Sequence, residues 1–159
     1  MEAFSASQGI CLLEFCDNPL LESAKEKLKE DFGAEIVAQS NRLIDLLEGQ
    51  LKEYFEGKRK SFSVLLNPTG TEFQQKVWNN LLTIEYGKTI TYKDQARRLG
   101  NLKALRAVAA ANGANKIPIV IPCHRVVGSN GELTGFSGGL WRKKFLLDLE
   151  NPQQRMQLF

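Results

Sequence analysis

The sequence predicts an α/β (α+β) chain in two parts. Residues 1–66 form a small N-terminal α/β lobe, and residues 67–159 form a mostly helical part built around a helix-turn-helix. Three observations predict this. Before residue 66, apolar runs bounded by Gly, Asn or Pro alternate with amphipathic helical stretches. Asn67-Pro68-Thr69-Gly70 is then the clearest punctuation in the chain. Beyond it, two Thr-x-x-Gln/Asp helix starts are followed by a glycine turn and a third helix.

Each element has its own signal. Gly9 to Phe15 is apolar and closed by Asp17-Asn18-Pro19, which predicts a strand. Leu21 to Phe32 predicts a charged surface helix. Asn41 to Glu56 predicts a second, with Ser40 as N-cap and Leu43, Leu47, Leu51 and Phe55 on one face. Ser61 to Leu66 predicts another strand. Thr71 and Gln74 form a capping box that opens a helix with Phe73, Val77 and Leu81 on one face. Thr91 and Asp94 open a short helix running to about Leu99. Gly100-Asn101 is the turn, and a third helix spans about Lys103 to Ala111, with Asn112-Gly113 as its stop. This third helix is rich in Ala, including Ala104 and Ala107, so its backbone can approach a flat surface; after Lys103 at its start, Arg106 is the one long charged side chain within it. Gly128 to Gly131 predicts a turn, Glu132 to Gly135 a short returning segment and Phe136 to Gly139 a loop. Leu140 to Glu150 is the closing amphipathic helix. There is no internal repeat.

Composition narrows the function. A hydrophobic content of 43% over 159 residues is enough for a real core. No run approaches a membrane span, and the N-terminus lacks a basic region followed by an apolar one, so a cytoplasmic protein is expected. Three cysteines, Cys11, Cys16 and Cys123, fit reduced thiols rather than a disulfide scaffold. With one histidine, they argue against a four-ligand zinc site, and no metal or other cofactor is expected. The net charge of +3 hides an asymmetry of −4 over residues 1–66 and +7 over residues 67–159. A basic half suits a polyanion such as nucleic acid. It suits a solvated face equally well, and charge alone leaves both open.

The chemistry concentrates in Pro122-Cys123-His124-Arg125, which follows the apolar run Ile117 to Ile121. A thiol is a strong nucleophile as thiolate, and an adjacent base or cation favours that form. Adjacent residues of a strand face opposite ways, so His124 serves Cys123 only if the chain bends at Pro122 or a water bridges the two. A carboxylate is then needed to orient the imidazole. Tyr92 reads either as a half-buried tyrosine or as a donor to a substrate heteroatom. Arg106 reads either as a solvated charge or as a side chain inserted among bases.

Pro122-Cys123-His124-Arg125-Val126 resembles the active-site signature of the O6-alkylguanine-DNA alkyltransferases. Gly70-Thr71-Glu72-Phe73-Gln74 with Val77-Trp78, Thr91-Tyr92-Lys93, Lys103 to Val108, Ser137-Gly138-Gly139 and Leu146 to Glu150 are similar to the family's other motifs, in the family's order. The resemblance covers residues 70–150. It implies a ribonuclease-H-like sheet in the first lobe and a winged helix-turn-helix-like DNA-binding domain that carries the cysteine.

It also implies roles. Cys123 accepts the alkyl group from O6 of guanine, and from O4 of thymine, in a single-turnover reaction. His124, acting through a water and oriented by Glu150, generates the thiolate. Asn115 ties the active-site strand to the helix-turn-helix, and Tyr92 donates to the guanine ring. Arg106 fills the gap left by the flipped nucleotide. Ala104 and Ala107 lie along the minor groove of double-stranded DNA, and Arg125, Val126, Phe136 and Ser137 complete the DNA and base contacts. A monomer in the cytosol is expected, or in the nucleus of a eukaryote.

Phe136 stands where many relatives have tyrosine, and the chain begins so near its first recognisable strand that an N-terminal strand of the relatives is expected to be short or missing. Other readings are a lesion-binding relative without the nucleophile, the repair domain of a two-domain transcription regulator, a simple helix-turn-helix regulator and a thiol hydrolase. Cys123 argues against the first, and the family motifs against the last two.

Overall fold

Ser7 and Gln8 turn the chain back on itself, and β1 (Glu2–Ala6) and β2 (Gly9–Glu14) pair antiparallel from Ala6↔Gly9 to Glu2↔Glu14, with a register shift between Phe4 and Ser5. The structure, a computed structural model, describes residues 1–155, and the chain divides into one compact unit ending at Thr69 and a second beginning at Gly70. β1 precedes the first strand that the sequence predicts. Its Glu-Ala-Phe-Ser-Ala sequence is weakly β-prone and only half buried, so it lacks the pattern of a core strand.

Every residue of β2 is buried. α1 (Leu21–Phe32) and α2 (Arg42–Phe55) both pack on it, which explains why Ile10 to Leu13 is continuously apolar rather than alternating. α2 is capped by Asn41, whose side chain accepts from the amides of Leu43 and Ile44, and not by Ser40, which hydrogen-bonds Asp45 instead. Its buried face is Leu47, Gln50 and Tyr54; Phe55 is exposed. Ser61 to Leu66 is not a strand. Gln50 Oε1 accepts from the Ser63 amide (2.9 Å) and Gln50 Nε2 donates to the Ser63 hydroxyl (2.6 Å), which removes that amide from any ladder. Only Leu66 bridges β2, parallel to Ile10. Gly9 permits this approach, because a Cβ there would lie 2.8 Å from the Leu65 carbonyl oxygen.

In the second unit, α3 (Glu72–Leu81) opens on the Thr71/Gln74 capping box. It buries Val77, Trp78 and Leu81, while Phe73 sits near the surface. Trp78 Nε1 donates to the Ala111 carbonyl at 2.8 Å, and Gly70 lets the backbone cross the same indole, where a Cβ would approach to 2.6 Å. β3 (Ile90–Thr91) leads into α4 (Tyr92–Arg98), which opens on the Thr91/Asp94 box. A 3₁₀ turn, Leu102–Ala104, precedes α5 (Leu105–Gly113). α5 therefore starts and ends later than expected. Asn112 does not stop it, because its buried amide pairs with that of Gln95 in α4 through two hydrogen bonds (2.7 and 3.2 Å).

β4 (Val126–Val127) pairs in parallel with β3. Glu132 to Gly135 is irregular, held at one end by the bond from Gly128 N to Glu132 O. α6 (Leu140–Glu150) has the predicted bounds and is followed by α7 (Pro152–Arg155). Trp141, near the start of α6, is 67% exposed. No helix among the described residues is long and apolar enough to cross a membrane.

Candidate active site

Ile117, Ile119, Val120 and Ile121 are buried, yet the run is not an extended strand. It closes on itself: Ile121 N donates to Ile117 O at 2.9 Å, and Ile119 is held at φ 76°, a conformation a β-branched residue adopts only under strain. Pro122 then makes a tight turn at φ −84°, ψ 63°, with Cys123 N donating to Ile121 O at 2.9 Å. Cys123–Arg125 continue as one 3₁₀ turn. The bend that a cysteine–histidine pair requires is therefore present, and the strand geometry that would separate the two is not.

Cys123 is in no disulfide and is 6% exposed. Asn115, just beyond α5, donates from Nδ2 to Cys123 Sγ at 3.1 Å and to the Ile121 carbonyl at 2.8 Å, while its Oδ1 accepts from Ile117 N. One side chain thus joins the end of the helix-turn-helix to the cysteine turn, and its N–H favours the charged form of the sulfur.

His124 is fully buried. Its Nε2 lies 2.7 Å from Glu150 Oε1, and its Nδ1 has no hydrogen-bond partner among the described residues. Burial works against the Glu150 carboxylate, but hydrogen bonds from His124 and Arg125 outweigh it and bring the group down to about pKa 2. An ionised carboxylate only accepts, so Nε2 carries the proton and Nδ1 keeps its lone pair. Burial pulls His124 below its ordinary value. Glu150 opposes this, and the charges of Arg125 and Lys143 reinforce it. The ring is accordingly a neutral base.

Arg125 was expected on DNA, and the structure corrects this. The residue is 6% exposed, its Nε and Nη2 donate to the two oxygens of Glu150 (2.9 and 3.0 Å), and its Nη1 donates to the Ile84 carbonyl. Its donors are committed inside the protein. Gly87 N adds a fourth bond to Glu150, at 3.1 Å.

The family model for the DNA-binding domain of 6-O-methylguanine DNA methyltransferase matches residues 72–152. The chain belongs to this family. A methylated-DNA–protein-cysteine methyltransferase of Methanosarcina acetivorans is 57% identical over 101 residues, 64% of this chain and 65% of that protein. The chain thus spans just under two thirds of that relative's length. The solved O6-methylguanine methyltransferase of Mycobacterium tuberculosis is similar across 95% of this chain and 92% of that one, with a TM-score of 0.76 at 35% identity. The Mycobacterium tuberculosis OGT solved in complex with DNA is similar across 69% of this chain and 66% of its own, with a TM-score of 0.67 at 49% identity.

Within this methyltransferase-family chain, Cys123 with Asn115 and His124 with Glu150 form two buried hydrogen-bonded pairs, adjacent through the Cys123–His124 backbone. Tyr92, at the start of α4, is half-buried; its hydroxyl donates to the Thr134 carbonyl at 3.0 Å, and burial raises its pKa. Val126 is fully buried, with its amide on the Cys123 carbonyl, so the side chain itself offers nothing to a base. Phe136 is half-buried and Ser137 exposed. Arg106 and Ala107 lie exposed on α5, with Ala104 half-buried just before it. Sequence reasoning missed Lys143. Its signal was there: Lys143, Leu146 and Glu150 are spaced i, i+3, i+7, the buried face of α6.

Proposed function

We propose that this chain is a DNA-repair protein that moves the alkyl group of O6-alkylguanine, and of O4-alkylthymine, onto Cys123. The observation that carries the reading is the buried neutral His124, with Nε2 committed to Glu150 and Nδ1 left as a base beside a buried thiol. A water between Nδ1 and Sγ passes the thiol proton to His124. The thiolate attacks the alkyl carbon in line, the S–C bond forms as the C–O bond breaks, and the guanine leaves with the bonding pair. Tyr92 leaves the Thr134 carbonyl and donates to the departing base as its negative charge develops. The thioether is a poor leaving group, so each molecule acts once.

The partner is double-stranded DNA, consistent with a relative solved in complex with DNA. The O6 atom of a stacked guanine is out of reach, so the nucleotide is flipped at a cost of a few kcal/mol. Arg106 enters the vacated stack from the exposed Ala-rich face of α5, in the minor groove, and Ala104 and Ala107 keep that approach close. Backbone groups at Cys123, Val126 and Ser137 read the base edge, and Phe136 packs on it. We assign these functions to residues 67–159 of a monomer. The reduced thiol requires a reducing compartment such as the cytoplasm.

Intact mass after incubation with a duplex containing O6-methylguanine tests the reading. The expected result is one added methyl group on Cys123, a plateau at one equivalent, and no transfer in Cys123→Ala. Repeated turnover, or a methyl group on Cys11 or Cys16, would overturn it.

A further inference from the structure

α6 begins with a charge that its own backbone disfavours. Its first turn holds no acidic residue, its N-cap Gly139 has no side chain to offer, and Arg142 follows directly on Leu140 and Trp141. The N-terminal end of a helix is partly positive, so a cation placed there is unfavourable unless something nearby answers it. A carbonyl and a ring answer Arg142. Its Nη1 donates to the buried Gly138 carbonyl at 2.9 Å, and its guanidinium carbon lies 4.4 Å from the centre of the Trp141 ring. Its amide donates to the Gly139 carbonyl at 3.1 Å. Gly139 N in turn closes a tight turn onto the Phe136 carbonyl at 2.9 Å. The turn needs glycine at this point, where φ is 91° and a Cβ would lie 3.3 Å from the Trp141 indole. At the other end of the loop, the Thr134 carbonyl accepts from the Tyr92 hydroxyl (3.0 Å) and from Lys143 Nζ (2.8 Å). Phe136 and Ser137 lie between these two anchorages.

We propose that Arg142, stacked on Trp141, is a positioning residue that holds the Phe136–Gly139 turn ready to receive the flipped base. The inference rests on the reading that Phe136 and Ser137 contact that base. The Thr134 anchorage loses the Tyr92 bond when the tyrosine turns to the departing base, whereas the chemistry leaves both bonds of Arg142 in place. A turn that is already ordered accepts the base directly. A loose one must first be ordered, and that cost is subtracted from binding. Arg142 therefore acts on capture of the base, and neither on the sulfur nor on the phosphates of the duplex.

The test is the single-turnover rate of methyl transfer from a duplex containing O6-methylguanine, at saturating protein, read by intact mass on the full chain. In R142M, shown folded by its near-ultraviolet spectrum, the rate falls about tenfold, the loss expected for one charge-assisted hydrogen bond. Three readouts stay within about twofold of the wild type: affinity for the undamaged duplex, its salt dependence, and carbamidomethylation of Cys123 by iodoacetamide. R142K, which still reaches the Gly138 carbonyl but stacks less well, recovers part of the rate. W141F keeps a ring beneath the guanidinium and stays near the wild type, whereas W141A moves towards R142M. An unchanged transfer rate in folded R142M overturns the proposal. So does an equal loss of carbamidomethylation, which would mean a general loosening, or a shallower salt slope, which would make Arg142 a phosphate contact. Failure of the wild type to take a methyl group from damaged DNA instead overturns the alkyl-acceptor reading.

Discussion

Arg125 holds both carboxylate oxygens of Glu150, at 2.9 and 3.0 Å, and so separates two jobs a lone carboxylate could not do together. An uncompensated Glu150 would orient His124 but would also draw a proton onto it. With the guanidinium in place the orientation is kept and the imidazole stays neutral. Arg125→Met therefore leaves a buried carboxylate without its counterion, an expected loss of about 3–5 kcal/mol in denaturant unfolding. Transfer to a free benzylguanine base falls, while the salt dependence of DNA binding stays as in the wild type, because no phosphate contact is removed. A shallower salt slope in the variant would put Arg125 back on DNA.

The same cluster sets the acid stability. His124 is held below its ordinary value, so below about pH 6.5 the unfolded chain takes a proton that the folded chain refuses, and stability falls with falling pH. Glu150 acts in the same direction lower down. Its stabilisation is complete above pH 4.5 and is lost as pH drops towards 2. At roughly 1.4 kcal/mol per unit this contribution is about 3 kcal/mol. Urea midpoints measured from pH 7 to pH 3 should fall in two stages, and E150Q should flatten the lower one. Stability constant over that range would contradict the assignment.

Arg106 makes the contrasting case, an exposed arginine on an Ala-rich helix. Arg106→Ala should slow repair of a duplex by about tenfold or more, the equivalent of losing part of the few kcal/mol that holding out a base requires. Its reaction with free benzylguanine should be unchanged within about twofold, and so should its melting temperature. Equal slowing on both substrates would remove Arg106 from the flipping step.

Much of the fold was legible because it is encoded locally. The Thr71/Gln74 and Thr91/Asp94 boxes span four residues each and start α3 and α4 where the sequence places them. The bounds of α1 and α6 follow from apolar spacing and flanking breakers. Long-range bonds were not legible. Ser61 to Leu66 has the composition of a strand, but Gln50 captures Ser63 across 13 residues. Asn112 has the look of a helix stop, but Gln95 keeps it inside α5. Arg125 reads as a DNA contact when only its charge is known, and its partner lies 25 residues further on. Cys123 and His124 were legible as a thiol beside a base, but Asn115 and Glu150 were legible only through the family motif, since nothing local says that α6 returns to the cysteine turn.

The two tryptophans sit at opposite extremes of solvation: Trp78 is dry and bonded to the Ala111 carbonyl, and Trp141 stands in solvent at the head of α6. The native emission of the chain is thus the sum of a blue component and a red one. A collisional quencher such as acrylamide reaches Trp141 and leaves Trp78 lit, so the red component reports what covers the start of α6 while the blue one reports whether α3 and α5 remain joined. Unfolding of the second unit and occupation of its surface can be timed separately in one unlabelled sample.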